Sequence, residues 1–99
     1  MSDFDFSAVR NNLDMVDGLE KLRQGLAQAC RTNAIDNQTG TAAQSYLSQA
    51  IREVKMPMPS KITVIDHLDS AIESLSNSSA AGSFVAALNQ ASETVRKMF

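Results

Sequence analysis

The sequence predicts an all-α fold: a small antiparallel bundle of four helices, arranged as two helical hairpins. Three observations carry this expectation. Apolar residues recur at steps of three and four in four separate stretches. Segments rich in Gly, Pro, Asn and Ser at 33–40, 55–60 and 76–83 separate those stretches. Only one short β-branched run, 62–65, could pair as a strand, and no second run exists to partner it. A length of 99 residues fits a single domain spanning 1–99.

The first stretch runs Val9, Leu13, Val16, Leu19, Leu22, Leu26 and Ala29 or Cys30, one stripe along the longest helix. Ser7 is its expected N-cap, giving about 24 residues and roughly 36 Å at the helical rise. Gly18 and Gly25 lie two turns apart on one face of it. Small residues there let a neighbouring helix approach, or else open a groove for a partner. The preceding residues 1–6 are expected to be disordered.

Residues 33–40 (NAIDNQTG) read as a loop anchored by Ile35. A second helix follows, with Ala43, Tyr46, Leu47, Ala50, Ile51 and Val54 as its stripe and Thr39 or Thr41 as its cap. The Met56-Pro57-Met58-Pro59 run removes two backbone donors, so 56–59 is a stiff Pro-rich connector between the hairpins. Its two thioethers either cover the bundle end or offer an adaptable contact surface.

Ile62, Ile65, Leu68, Ile72 and Leu75 form the third stripe, capped by Ser60 or Thr63; its start is ambiguous between helix and extended chain. After the serine-rich loop at 76–83, Phe84, Leu88, Ala91, Val95 and Met98 alternate steps of four and three in the cleanest seam of the chain. From these stripes Leu19, Leu26, Leu47, Ile65, Leu68, Ile72, Leu88 and Val95 are expected to be buried. Two echoes, 42–47 with 80–85 and 16–20 with 65–69, suit two hairpins in tandem.

Composition narrows the function. The chain has 8 Leu, 5 Ile, 6 Val and 4 Phe, only just enough for a core, which points to stability gained from a partner or a second copy. Nine Lys and Arg against eleven Asp and Glu give a net charge of -2. Nucleic-acid binding, which depends on clustered cations, is therefore disfavoured. The cations look dispersed: Arg52 with Lys55, and Arg96 with Lys97, sit near helix ends where they oppose the macrodipole.

No stretch of membrane-spanning length and no basic, apolar signal segment is visible. The expected location is cytoplasmic, or outside the cell after export without a cleaved signal.

Catalytic chemistry finds little material. His67 stands beside Asp66, Asp69 and Glu73, but those acids alternate with an apolar stripe and no second His or Cys is near in sequence. Cys30 is the only cysteine. No catalytic residue, metal or cofactor is expected. The apolar residues expected in excess for partner binding are Phe4, Phe6 and Val9 at the start of the chain and Met98 and Phe99 at its close, with Gly18, Gly25, Met56 and Met58 as further contacts. The expected partner is a protein, helical in character, or a second copy.

Residues 37–46 (NQTGTAAQSY) resemble the turn of the Trp-x-Gly family of small type VII secretion proteins. Gly40 matches the glycine, and Ala43 and Tyr46 match the alanine and aromatic that follow; Gln38 stands where the Trp belongs. The resemblance covers the first half of the chain. The proline break is foreign to that family's two-helix hairpin, and no Tyr-x-x-x-Asp export signal is present. It implies a divergent helper or partner of a type VII secretion substrate. The alternative function is an acidic immunity or inhibitor protein, using Asp14, Asp17, Glu20, Asp66, Asp69 and Glu73 against a toxin or enzyme.

Overall fold

The computed structural model describes Phe6 and residues 9–98. Four α-helices, α1 (Asn12–Arg31), α2 (Asn37–Val54), α3 (Lys61–Leu75) and α4 (Gly82–Met98), form an antiparallel four-helix bundle, with a single 3-10 turn (Ser79–Ala81) leading into α4. Helix α2 packs on α1 and on α3, and α4 packs on α3 and touches α1 more lightly. Helices α1 and α3 therefore occupy opposite corners. The two hairpins, α1–α2 and α3–α4, are those expected from the sequence.

Helices α1, α2 and α3 each begin where a side chain can satisfy a free backbone donor. The Asn11 side chain accepts from Asp14 N at 2.9 Å, while Asp14 Oδ2 accepts from Arg10 N at 3.2 Å. Asn11 is therefore the cap in place of Ser7, which lies outside the described residues, and α1 has 20 residues. Asp36 caps α2 through Thr39 N, ahead of the expected Thr39 or Thr41. Ser60 caps α3 through Thr63 N at 3.3 Å, so the β-branched run 62–65 is helical.

The close of α1 explains why the first loop is shorter than 33–40. Asn33 takes a left-handed φ of 62°, Asn33 N donates to Cys30 O, and Ala34 N donates to Ala29 O at 2.9 Å. Those are the paired bonds of a Schellman cap, with Asn where Gly is commonest. Ile35 follows, 1% exposed, and anchors the turn as expected. Gly40 is consequently in the first turn of α2 and not in the loop.

The core is built from Met15, Leu19, Leu22, Leu26, Leu47, Val54, Val64, Leu68, Leu75, Leu88 and Val95, with Ala43, Ala50, Ala71, Ala81, Ala87 and Ala91 between them. A chain short of large apolar residues compensates by bringing helices close over alanines. Two stripes are rotated from expectation. On α3 the buried line is Val64, Leu68, Ala71 and Leu75, so Ile65 and Ile72 are half-buried flanks, and Ile62 is 72% exposed. On α1, Leu13 in the first turn is 76% exposed and Met15 takes its place inside. The face presented to two neighbours is centred on Leu68 and Ala71 in α3, and a single-residue rotation brings Val64 inside and puts Ile65 and Ile72 at its edges.

The last seam is as expected: Phe84, Leu88, Ala91 and Val95 are buried, and Met98 packs against them half-buried. Ser92 is also buried there, its hydroxyl without a partner, at a cost on the order of 1 kcal/mol. The half-buried pair Arg23–Glu20 at 2.8 Å and the exposed pair Arg96–Glu93 at 3.6 Å are surface ion pairs that add little to stability.

Candidate functional site

Antiparallel topology collects the start of α1, the close of α2, the connector, the start of α3 and the close of α4 at one end of the bundle. All four large apolar side chains exposed among the described residues are there: Leu13, Met56, Met58 and Ile62, the last three around the connector. Met58 is 89% exposed and Met56 51%, so these thioethers face solvent and do not cover the bundle. Glu53 Oε2 accepts from Ser60 N at 2.9 Å and ties the proline segment back to α2. With two φ angles fixed by proline, the connector presents Met58 with little freedom left to lose.

Between the N-terminal segment and α4 a cavity of about 750 Å³ opens, lined by Phe6, Val9 and Arg10 on one side and by Glu93, Lys97 and Met98 of α4 on the other; none of the four exposed apolar residues lines it. The apolar residues from the two chain termini thus meet at one place. Phe6 was expected to be exposed and disordered; it is 1% exposed, because its ring lies over the bare backbone of Gly18. A Cβ at Gly18 would stand 2.6 Å from Phe6 Cε1. The small residue on α1 therefore receives this chain's own aromatic and leaves no partner groove at that position. Val9 is half-buried, as is Gly25. Phe4 and Phe99 lie outside the described residues.

At the opposite end, Gly40 and Ala43 are buried on α2 and Tyr46 is half-buried against the core. A Cβ on Gly40 would collide with Cys30 Sγ, which also receives Gln44 Nε2 at 3.8 Å. The glycine is required by the closeness of α1 and α2. Gly40→Ala is expected to cost about 1–2 kcal/mol despite its better helix propensity, because Cys30 must rotate away. Adding Cys30→Ala should restore most of that loss. Urea denaturation of the two single variants and the double variant reads the coupling directly, and additive losses would contradict the contact.

The residues with catalytic potential stay apart from one another. His67 is half-buried on α3 and Cys30 half-buried at the close of α1. Among the described residues no three His, Cys, Asp or Glu side chains come together where a metal could bind. The acids of α1 and α3 lie on opposite corners of the bundle, and Glu20 is engaged by Arg23. No described helix is long and apolar enough to cross a membrane.

Sequence reasoning named Met56 and Met58 but missed Leu13 and Ile62 at the same end, because it read helices one at a time. Leu13 and Ile62 fit their stripes by spacing, and only the true helix phase turns them outward. The charges clustered there were likewise scattered along the chain. No protein-family model, curated protein or solved structure matches the chain.

Proposed function

We propose that this chain is a non-catalytic interaction protein whose connector end binds a partner chain. The observation that carries the reading is the exposure of Met56, Met58 and Ile62, otherwise unneeded for the core, around a proline-stiffened loop, with Leu13 exposed at the same end of the bundle. Exposed apolar side chains grouped at one place are the usual material of an interface. Within this reading we take the partner to be a type VII secretion substrate that the bundle accompanies, in the cytoplasm or during export without a cleaved signal. Gly40, Ala43 and Tyr46 support it, as does the helical hairpin in which Gly40 allows α1 and α2 to meet.

The test combines Leu13→Ser, Met58→Ser and Ile62→Ser. Because these positions are exposed, the helical spectrum and melting temperature should change little. Affinity purification from the native host, followed by mass measurement of the intact complex, should show a stoichiometric protein partner with the parent chain and its loss with the variant. A parent chain that is monomeric at high concentration and retains nothing, or a variant that retains the same partner equally well, would overturn the reading.

A further inference from the structure

Resting on that reading, we propose that the connector end accepts one chemical class of partner, an acidic amphipathic helix. Six of the nine Lys and Arg residues belong to this end: Arg10, Arg52, Lys55, Lys61, Arg96 and Lys97. The carboxylates among them in the described structure are Asp14, Glu53 and Glu93. Each is engaged, by Arg10 N, by Ser60 N and by Arg96 respectively. Asp3 and Asp5 precede Phe6 in sequence and lie outside the described residues. Over the remaining described surface the balance reverses, with Lys21, Arg23 and Arg31 outnumbered by Asp17, Glu20, Asp36, Asp66, Asp69 and Glu73. Among the described residues the charge is thus polarised along the bundle.

Helix chemistry accounts for part of this cluster only. Arg52, Lys55, Arg96 and Lys97 stand at helix C-termini, where cations are favourable. Lys61 opens α3, whose first turn has no acid, and Arg10 precedes the cap of α1. At those two positions the macrodipole opposes a cation. Their charge does nothing for their own helices and adds to the field at the end of the bundle.

Lys55 and Lys61 bracket Met56 and Met58, with Ile62 next to Lys61, and Arg10 precedes Leu13 at the same end of the bundle, so the complementary surface carries acids and apolar groups together. A helix supplies both on one rod while satisfying its own backbone, and it needs no strand edge, of which the described residues have none. The cavity on the α4 side, lined by Arg10 and Lys97 together with Phe6, Val9 and Met98, adds a second, concave contact for such a rod. A flat anionic lipid surface would leave it unfilled. The adaptable methionines fit a partner whose apolar face varies in shape.

The experiment titrates the full chain with two labelled synthetic peptides of about 18 residues, long enough to form helix on binding. One has Leu and Glu at helical spacing; the other has Lys in place of every Glu. The expected result is that the acidic peptide binds at least about tenfold more tightly than the basic one and weakens severalfold between low and high salt. Combining Lys55→Glu, Lys61→Glu and Lys97→Glu should reduce binding of the acidic peptide by at least about tenfold, with Gln at the same positions giving an intermediate loss.

Equal binding of both peptides, with loss on Met58→Ser and Ile62→Ser, would overturn the acidic partner and leave the apolar platform standing. Failure of those serine variants to alter either peptide would remove the platform as well. Capture of the chain by phosphatidylserine vesicles without peptide binding would assign the end to a lipid surface. Salt-sensitive self-association abolished by the charge reversal, again without peptide binding, would assign it to a second copy. Either result overturns the proposal.

Discussion

Leu68→Ala and Leu88→Ala are each expected to destabilise the chain by about 2–5 kcal/mol, the cost of removing a fully buried leucine and leaving a cavity. For a domain of this size each kcal/mol lowers the melting temperature by roughly 4–8 °C, so a loss of about eight degrees or more should be seen. Leu68 is central to the α3 face that meets α2 and α4, and Leu88 occupies the corresponding place on α4. Neither cavity can collapse easily, because neighbouring positions on those faces are buried alanines, such as Ala71 and Ala87, with no side chain long enough to fill it. Ile62→Ala is the control: its side chain is mostly in water, and its loss should change stability by less than about 0.5 kcal/mol. Unchanged denaturation midpoints for both leucine variants, or a large loss for Ile62→Ala, would mean that α3 is rotated from the arrangement described.

Phe6→Ala is expected to cost about 3–5 kcal/mol, comparable to an aromatic lost from the centre of a core. The ring is buried against Gly18 and forms part of the wall between the N-terminal segment and α4. Gly18→Ala approaches the same contact from the other side: the added methyl occupies the space of the ring edge, so its helix-propensity gain of up to about 1 kcal/mol should be cancelled in the parent chain. In a Phe6→Ala background that gain should reappear as stabilisation. Chemical denaturation of the four chains measures it, and a stabilising Gly18→Ala in the parent chain would show that Phe6 does not sit there.

The helices were legible because their apolar residues repeat with helical spacing and their interruptions are chemically distinct. Pro57 and Pro59 cannot be mistaken for helix, and Ser60 was among the caps expected. Phase was less legible. Val64 and Ile65 are adjacent, both β-branched, and interchangeable on a helical stripe until the opposing helix selects one; Leu13 and Met15 pose the same problem in α1. Phe6 escaped because burial here depends on a glycine twelve residues away, and nothing local marks an aromatic as the complement of a missing side chain. The polarised charge was hidden for a third reason: Arg10, Lys55, Lys61 and Lys97 become neighbours only when helices alternate in direction.

The order of packing, with each helix resting mainly on those next to it in the chain, also governs how the molecule reaches its native state. Most of its contacts close over a single short turn, and only the light seam between α1 and α4 joins distant parts of the sequence. Loop closure therefore costs little at each step, and the two hairpins can assemble independently before α2 and α3 dock across the prolines. A chain built this way belongs among rapid folders, in the microsecond-to-millisecond range, and exposes its sparse apolar surface only briefly after synthesis.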